Sequence, residues 1–159
     1  MRAVVLDLTS PYFVSEETYQ IRIERLEPRC DDILYIREGG VRGVGCRIPP
    51  NTRLCLGQRL MLIRANKSVS PAFLELCVNS PWITDFAEEK TTGGAAPRVN
   101  MSVVRAYPIP LPPLAEQYRI VAEVQKRLSV IEELETGVVV ELKRAERLRQ
   151  AVLQHTFFG

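Results

Sequence analysis

The sequence predicts an α+β protein: a small mixed strand-and-helix domain over residues 1–108, followed by a proline-rich linker and one long C-terminal α-helix of the coiled-coil-forming kind over 109–159. Three observations carry this. An apolar run, Asp32-Ile-Leu-Tyr-Ile-Arg37, leads straight into a glycine-rich turn. Two Ser-Pro steps, at 70–71 and 80–81, each have the form of a helix start. From Leu114 to the end there is no proline, and apolar residues recur at a mean spacing of 3.5. A length of 159 residues has room for one domain, or one small domain with an appendage.

Up to about Pro50 the chain reads as short strands and turns. In Glu38-Gly-Gly-Val-Arg-Gly-Val-Gly45, glycines at 39, 40, 43 and 45 let a backbone turn sharply or come close to a ligand. After Pro49-Pro50-Asn51, Leu54 to Arg64 reads as a half-buried strand. Arg53, Cys55, Gly57 and Arg59 fall on one phase and Leu54, Leu56, Leu60 and Leu62 on the other, with a bend or bulge at Gly57-Gln58. Ser70-Pro71 opens a helix with an apolar face through Val78, with Ser70 as its cap, and Ser80-Pro81-Trp82 opens a second that ends near Lys90. Thr91-Thr-Gly-Gly-Ala-Ala-Pro-Arg98 is a loop of small residues, and Asn100 caps a brief helical turn through Arg105.

Pro108-Ile-Pro-Leu-Pro-Pro113 has four prolines in six positions and must be extended. The stripe beyond it comprises Val124, Leu128, Ile131, Leu134, Val138, Leu142, Ala145, Leu148 and Val152. Glu116–Arg119, Glu123–Arg127, Glu141–Arg144 and Glu146–Arg149 are spaced for same-face ion pairs. A helix of about 40 residues extends roughly 60 Å, longer than a body of about a hundred residues is wide. Part of the stripe is therefore expected to find another helix, with Gly137 as its weak point.

Composition narrows the function. The net charge is only +2, but residues 37–67 carry +6 and the rest −4. Arginine outnumbers lysine 17 to 4, which suits forked contacts to a partner. The sole histidine is His155, and the sequence has no Gly-x-Ser-x-Gly elbow, Walker loop or His-Glu-x-x-His helix, so no enzyme is expected. Cys30, Cys46, Cys55 and Cys77 lie 16, 9 and 22 positions apart, without the close pairing of a zinc site. Mostly buried free thiols in a reducing compartment are expected, with neither metal nor cofactor. No apolar run exceeds four residues, which excludes a membrane-spanning helix, and an acid at position 7 interrupts any secretory leader. A cytoplasmic protein is the expectation.

Ile109-Pro-Leu-Pro-Pro-Leu-Ala-Glu-Gln-Tyr-Arg-Ile-Val121 resembles a signature of type I restriction–modification DNA-specificity subunits, in which such a segment joins a target-recognition domain to a long helix. Asp32-Ile-Leu-Tyr-Ile-Arg-Glu-Gly-Gly-Val-Arg-Gly43, Leu56-Gly-Gln-Arg59, Thr92-Gly-Gly-Ala-Ala-Pro97 with Asn100-Met-Ser102, and Arg147-Leu-Arg-Gln-Ala-Val-Leu153 with Phe157-Phe158-Gly159 are similar to further landmarks in the same order. Asp31 stands where that family has a glycine. The family's typical subunit has two recognition domains and two helical regions, whereas this chain has one of each and a short N-terminal side. A half-subunit, a truncated recombination product or a split gene are the expected origins.

The resemblance implies sequence-specific recognition of double-stranded DNA without catalysis, in company with methyltransferase (modification) subunits and a restriction subunit. Arginines supply phosphate affinity, and a few reach base edges. The candidates are Arg37 and Arg42 beside the loop glycines Gly39, Gly40 and Gly43, then Arg47, Arg59 and Arg98. For each, the alternative is a solvated arginine or a structural pair with Asp31, Asp32 or Glu38. The candidate dimerisation residues are Val124, Leu128, Ile131, Leu134, Val138, Leu142, Leu148 and Val152, forming a homodimer with antiparallel pairing favoured. The competing expectation is a truncated interaction module that pairs through its helix without binding DNA.

Overall fold

The computed structural model describes residues 6–9, 11–39, 42–92 and 97–158, with the backbone alone at 155, 157 and 158. The chain divides into two compact units, Met1–Tyr118 and Arg119–Gly159.

The first unit is built on a three-stranded antiparallel sheet of β1 (Ile33–Ile36), β2 (Val44–Arg47) and β3 (Leu60–Ile63), in the order β2-β1-β3. The central strand β1 is covered on both faces, because alternate residues point to opposite sides. Ile33 and Tyr35 enter one core with Leu74, Val78, Ile83, Ala87, Val99, Val104 and Tyr107. Leu34 enters a second with Cys46 and Ile48, joined by Leu6, Leu54, Leu56 and Leu62. In the first core the hydroxyls of Tyr35 and Tyr107 hydrogen-bond each other, and Tyr107 meets Phe86 edge-on at 6.0 Å between ring centres. Burial pushes both phenol groups up from their ordinary value.

Helices α2 (Pro71–Val78) and α3 (Pro81–Glu89) start at the two Ser-Pro steps. Ser80 caps α3 by accepting from the Ile83 amide. Ser70 occupies the cap position of α2, but its hydroxyl makes no cap bond. Its amide donates instead to Gln117 Oε1 at 2.8 Å. The short helix α4 (Met101–Arg105) follows Asn100, whose side chain reaches Thr92 rather than the helix amides.

Two expectations are corrected. The first stretch contains a helix, α1 (Glu16–Ile23), capped by Ser15 with Glu16 and Glu17 in its first turn. And the strand expected from Leu54 begins only at Leu60, after a turn in which the Leu60 amide donates to Gly57 O. All four β3 residues are half-buried. With apolar cover on both faces of the sheet, the two phases are not separated into a wet and a dry side.

The glycines divide by role. Gly39 (φ 111°) and Gly43 (φ 79°) hold left-handed conformations around the β1–β2 connection. Gly45 serves packing: a Cβ there would lie 2.7 Å from Ile33 Cγ2 and 3.2 Å from Leu34 O. Its close approach is to the core, not to a ligand. Asp31 itself adopts φ 67°, the left-handed conformation that a glycine supplies most readily.

The second unit is the body of one helix, α5 (Leu114–Phe158), which starts directly after the proline segment. No helix among the described residues is long and apolar enough to cross a membrane.

Candidate nucleic-acid interface

Three of the candidate arginines come together where β1 ends. The Arg37 amide donates to Arg59 O at 3.1 Å, and Arg37 O accepts from the Val99 amide at 2.8 Å. On that second side Glu38 and Thr92 are each bridged antiparallel to Arg98. A turn before β3 and a segment before α4 thus flank the end of β1, setting Arg59, Arg37 and Arg98 in neighbouring backbone rows. Arg59 and Arg98 are exposed and Arg37 is half-buried. None of the three has a carboxylate within ion-pair distance among the described residues. The Arg37 Nε is buried without a hydrogen-bond partner among the described residues.

Arg42 adjoins this group. It lines a cavity of about 110 Å³ with Gly43, Thr84, Glu88, Thr91 and Val99. Its Nη2 lies 3.5 Å from Glu88 Oε1, and its Nε is buried and unpartnered. Gly40, also a candidate, lies outside the described residues.

Arg47, Arg64 and Arg53 of the 37–67 segment are instead paired within the chain. Arg47 donates through Nε to Glu75 Oε2 (2.7 Å) and through Nη1 to Asp31 (3.1 Å), while its amide donates to Glu75 Oε1. It is a clamp between β2 and α2. Arg64 grips Asp32 with two bonds, Nε to Oδ1 at 2.7 Å and Nη2 to Oδ2 at 2.6 Å. Burial pushes the Asp32 carboxyl up, but the Arg64 hydrogen bond, the Arg29 amide and the Arg64 charge outweigh it and hold the group below the usual carboxylate range. Arg53 stacks on Tyr19, 4.0 Å from the ring centre, and pairs with Glu16. The charge run therefore splits into clamps and a smaller, unpaired group.

Of the cysteines, Cys46 is buried and Cys55 and Cys77 are half-buried, but Cys30 is exposed, unlike the mostly buried set expected. Burial pushes the Cys77 thiol up to about 11, so it stays protonated at neutral pH. Among the described residues no group of three His, Cys, Asp or Glu could hold a metal ion.

In the second unit the stripe is open. Val124 and Leu128 are half-buried. Ile131, Leu134, Val138, Leu142, Leu148 and Val152 are between 49% and 64% exposed. Leu134, Gly137, Val138, Leu142 and Ala145 share one shallow groove, and a Cβ on Gly137 would meet open space. The expected ion pairs Glu123–Arg127 and Glu141–Arg144 form, at 2.7 Å and 3.7 Å.

Comparison with known proteins gives this arrangement a family. The model of the type I restriction modification DNA specificity domain matches residues 15–144. The chain belongs to that family. It is 24% identical over 155 residues, 97% of its length, to the specificity subunit of the type I restriction enzyme EcoBI of Escherichia coli, and 29% identical over 94 residues to that of EcoDI. The crystal structure of the HsdS subunit from Thermoanaerobacter tengcongensis superposes with a TM-score of 0.65 at 29% identity, covering 81% of this chain. The small antiparallel sheet with its helices and long C-terminal helix is thus the HsdS fold. The chain spans 32% of the EcoBI subunit, 21% of the EcoDI subunit and 34% of the HsdS chain.

Of the candidates, Arg37, Arg59 and Arg98 meet at the end of β1 with Arg42 beside them. The sequence singled out neither Glu88, which lines the Arg42 cavity, nor Gln117, which anchors Ser70. Gln117 stood inside the Leu-Ala-Glu-Gln segment, but nothing in the sequence says that its amide would be fully buried.

Proposed function

We propose that this chain is a DNA reader: the specificity component of a type I restriction–modification system, acting in the cytoplasm on double-stranded DNA. It contributes no catalysis. Its part is to select the sequence and hold modification subunits, which a restriction subunit joins. The observation that carries this reading is the convergence of Arg37, Arg59 and Arg98 at the end of β1, none of them in an ion pair among the described residues, in a chain whose family is defined by DNA specificity. Unpaired guanidinium groups on one rim supply phosphate affinity, and those that reach the groove supply base selection. The open stripe of α5 supports pairing with a second copy. Antiparallel pairing presents two reading units in inverted orientation, so the target is two inverted half-sites with a fixed gap.

The test is the salt dependence of DNA binding by the purified chain, alone and with a modification subunit. Affinity should fall steeply with salt, and Arg59→Ala and Arg98→Ala should each reduce the log–log slope by about 1. Arg47→Ala should leave the slope unchanged and lower stability instead, because its partners are Glu75 and Asp31. Absence of binding at low salt, even with the modification subunit present, would leave an interaction module that pairs through α5.

A further inference from the structure

Glu88 is placed where stability gives it no reason to be. It lies in the last turn of α3, beside the negative end of the helix dipole, where a carboxylate is disfavoured. Its side chain is 78% exposed, and the cation beside it, Arg42, stands off at 3.5 Å, long for an ion pair. Arg42 is the opposite: 21% exposed, with its Nε buried, so its guanidinium is held in place before any ligand arrives. The two sit beside the arginine rim, since Val99 lines their cavity and its amide bonds Arg37 O.

We propose that Arg42 and Glu88 together read one G·C base pair in the major groove, Arg42 donating to guanine and Glu88 accepting from the N4 amine of the paired cytosine. This rests on the DNA-reading function proposed above. Arginine to guanine and carboxylate to cytosine are the pairings that the groove chemistry favours. The spacing agrees. Guanine O6 and cytosine N4 are themselves joined by an N–H···O bond of about 2.9 Å, and the donor and acceptor on the protein lie 3.5 Å apart. The two pairs of atoms can face each other with near-parallel hydrogen bonds. The carboxylate rejects thymine or guanine at the cytosine position, whose O4 or O6 would set an acceptor against it. Adenine, whose N6 amine can donate, is discriminated at Arg42, which meets thymine O4 and a methyl group in place of guanine O6 and N7. Repulsion from phosphates is offset by Arg37, Arg59 and Arg98 nearby.

The experiment selects sites from random duplex DNA with the full chain and with Glu88→Gln, then measures affinity for the selected site and its single-pair variants. Glu88 is exposed, so the variant folds. The wild type should show one position with strong preference for cytosine opposite guanine. Glu88→Gln should relax that preference by about tenfold or more at that position alone, leaving the others unchanged. If the variant binds every site more tightly with an identical preference profile, Glu88 is only a repulsive surface charge and the assignment is overturned. If the wild type enriches no sequence at any salt, the reading function itself fails, an outcome distinct from a shared profile.

Discussion

Replacing Gln117 by leucine should destabilise the first unit by about 2–4 kcal/mol. The side chain is fully buried and makes three hydrogen bonds within that unit. Its Oε1 accepts from the Ser70 amide at 2.8 Å, and its Nε2 donates to Ser68 O at 2.9 Å and Pro112 O at 2.8 Å. Leucine fills a similar volume, so the loss is one of hydrogen bonding. Ser70 is buried, and its orphaned amide costs about 1–3 kcal/mol. The two carbonyls belong to residues with some solvent access and can turn to water, losing roughly 0.5–1.5 kcal/mol each at most. Against a total stability of about 5–15 kcal/mol this is a large fraction. Urea unfolding followed by circular dichroism reads it as a fall of about 1–2 M in midpoint at unchanged slope. Gln117→Glu adds a sign test. It keeps the acceptor for Ser70, retains one donor bond while protonated and none once ionised, and buries a carboxyl, whose folded pKa must rise above its unfolded value near 4.3. Its stability should therefore be present at low pH and be lost as pH rises through that folded value. A leucine variant within about 0.5 kcal/mol of wild type, or a glutamate variant indifferent to pH, would refute the reasoning.

Other outcomes follow from the same contacts. Gly45→Ala should lower stability by about 1–3 kcal/mol, because its Cβ would lie 2.7 Å from Ile33 Cγ2 in a filled core; a thermal melt reads the loss. Asp32 contributes in the opposite pH sense to Gln117→Glu. With its folded pKa held below 3.8, its stabilisation is present above that value and lost as pH falls through the depressed one, so Asp32→Asn should flatten the acid limb of the stability profile. Ile131→Asp places a charge on the open stripe, and should turn a dimer into a monomer by light scattering while the melting temperature of the first unit holds.

Sequence periodicity served best where local chemistry decides the element. Helix α5 was legible because no proline interrupts it and its stripe keeps one period, and α2 and α3 because a Ser-Pro step is a local signal. Helix α1 was not. Tyr19, Ile21 and Ile23 alternate as they would in a strand, and only Tyr19 is buried while Ile21 is 66% exposed. Ser15 followed by two glutamates was the available signal. For the arginines the limit is of another kind. Whether a guanidinium is free depends on a carboxylate brought near by the fold. Arg47 meets Glu75, 28 residues away, and Arg64 meets Asp32, 32 residues away, whereas Arg59 meets none among the described residues. A one-dimensional charge run cannot separate these cases.

The pairing of β1 with β3 turns that distinction into a design. The strands are antiparallel, with Ile33 opposite Ile63 and Ile36 opposite Leu60. Asp32 and Arg64 therefore meet at one end of the ladder, and Arg37 and Arg59 at the other, as their backbone bond records. Five residues of strand separate the ends by about 17 Å, beyond the screening length at physiological salt. At the first end an arginine is matched bidentately to a buried carboxylate and ties the sheet together. At the second, none of Arg37, Arg59 and Arg98 has a carboxylate within ion-pair distance among the described residues. If the proposed reading function holds, substitutions at the Arg37–Arg59 end should accordingly change what is bound while leaving the melting temperature alone, and substitutions at the Asp32 end should do the reverse.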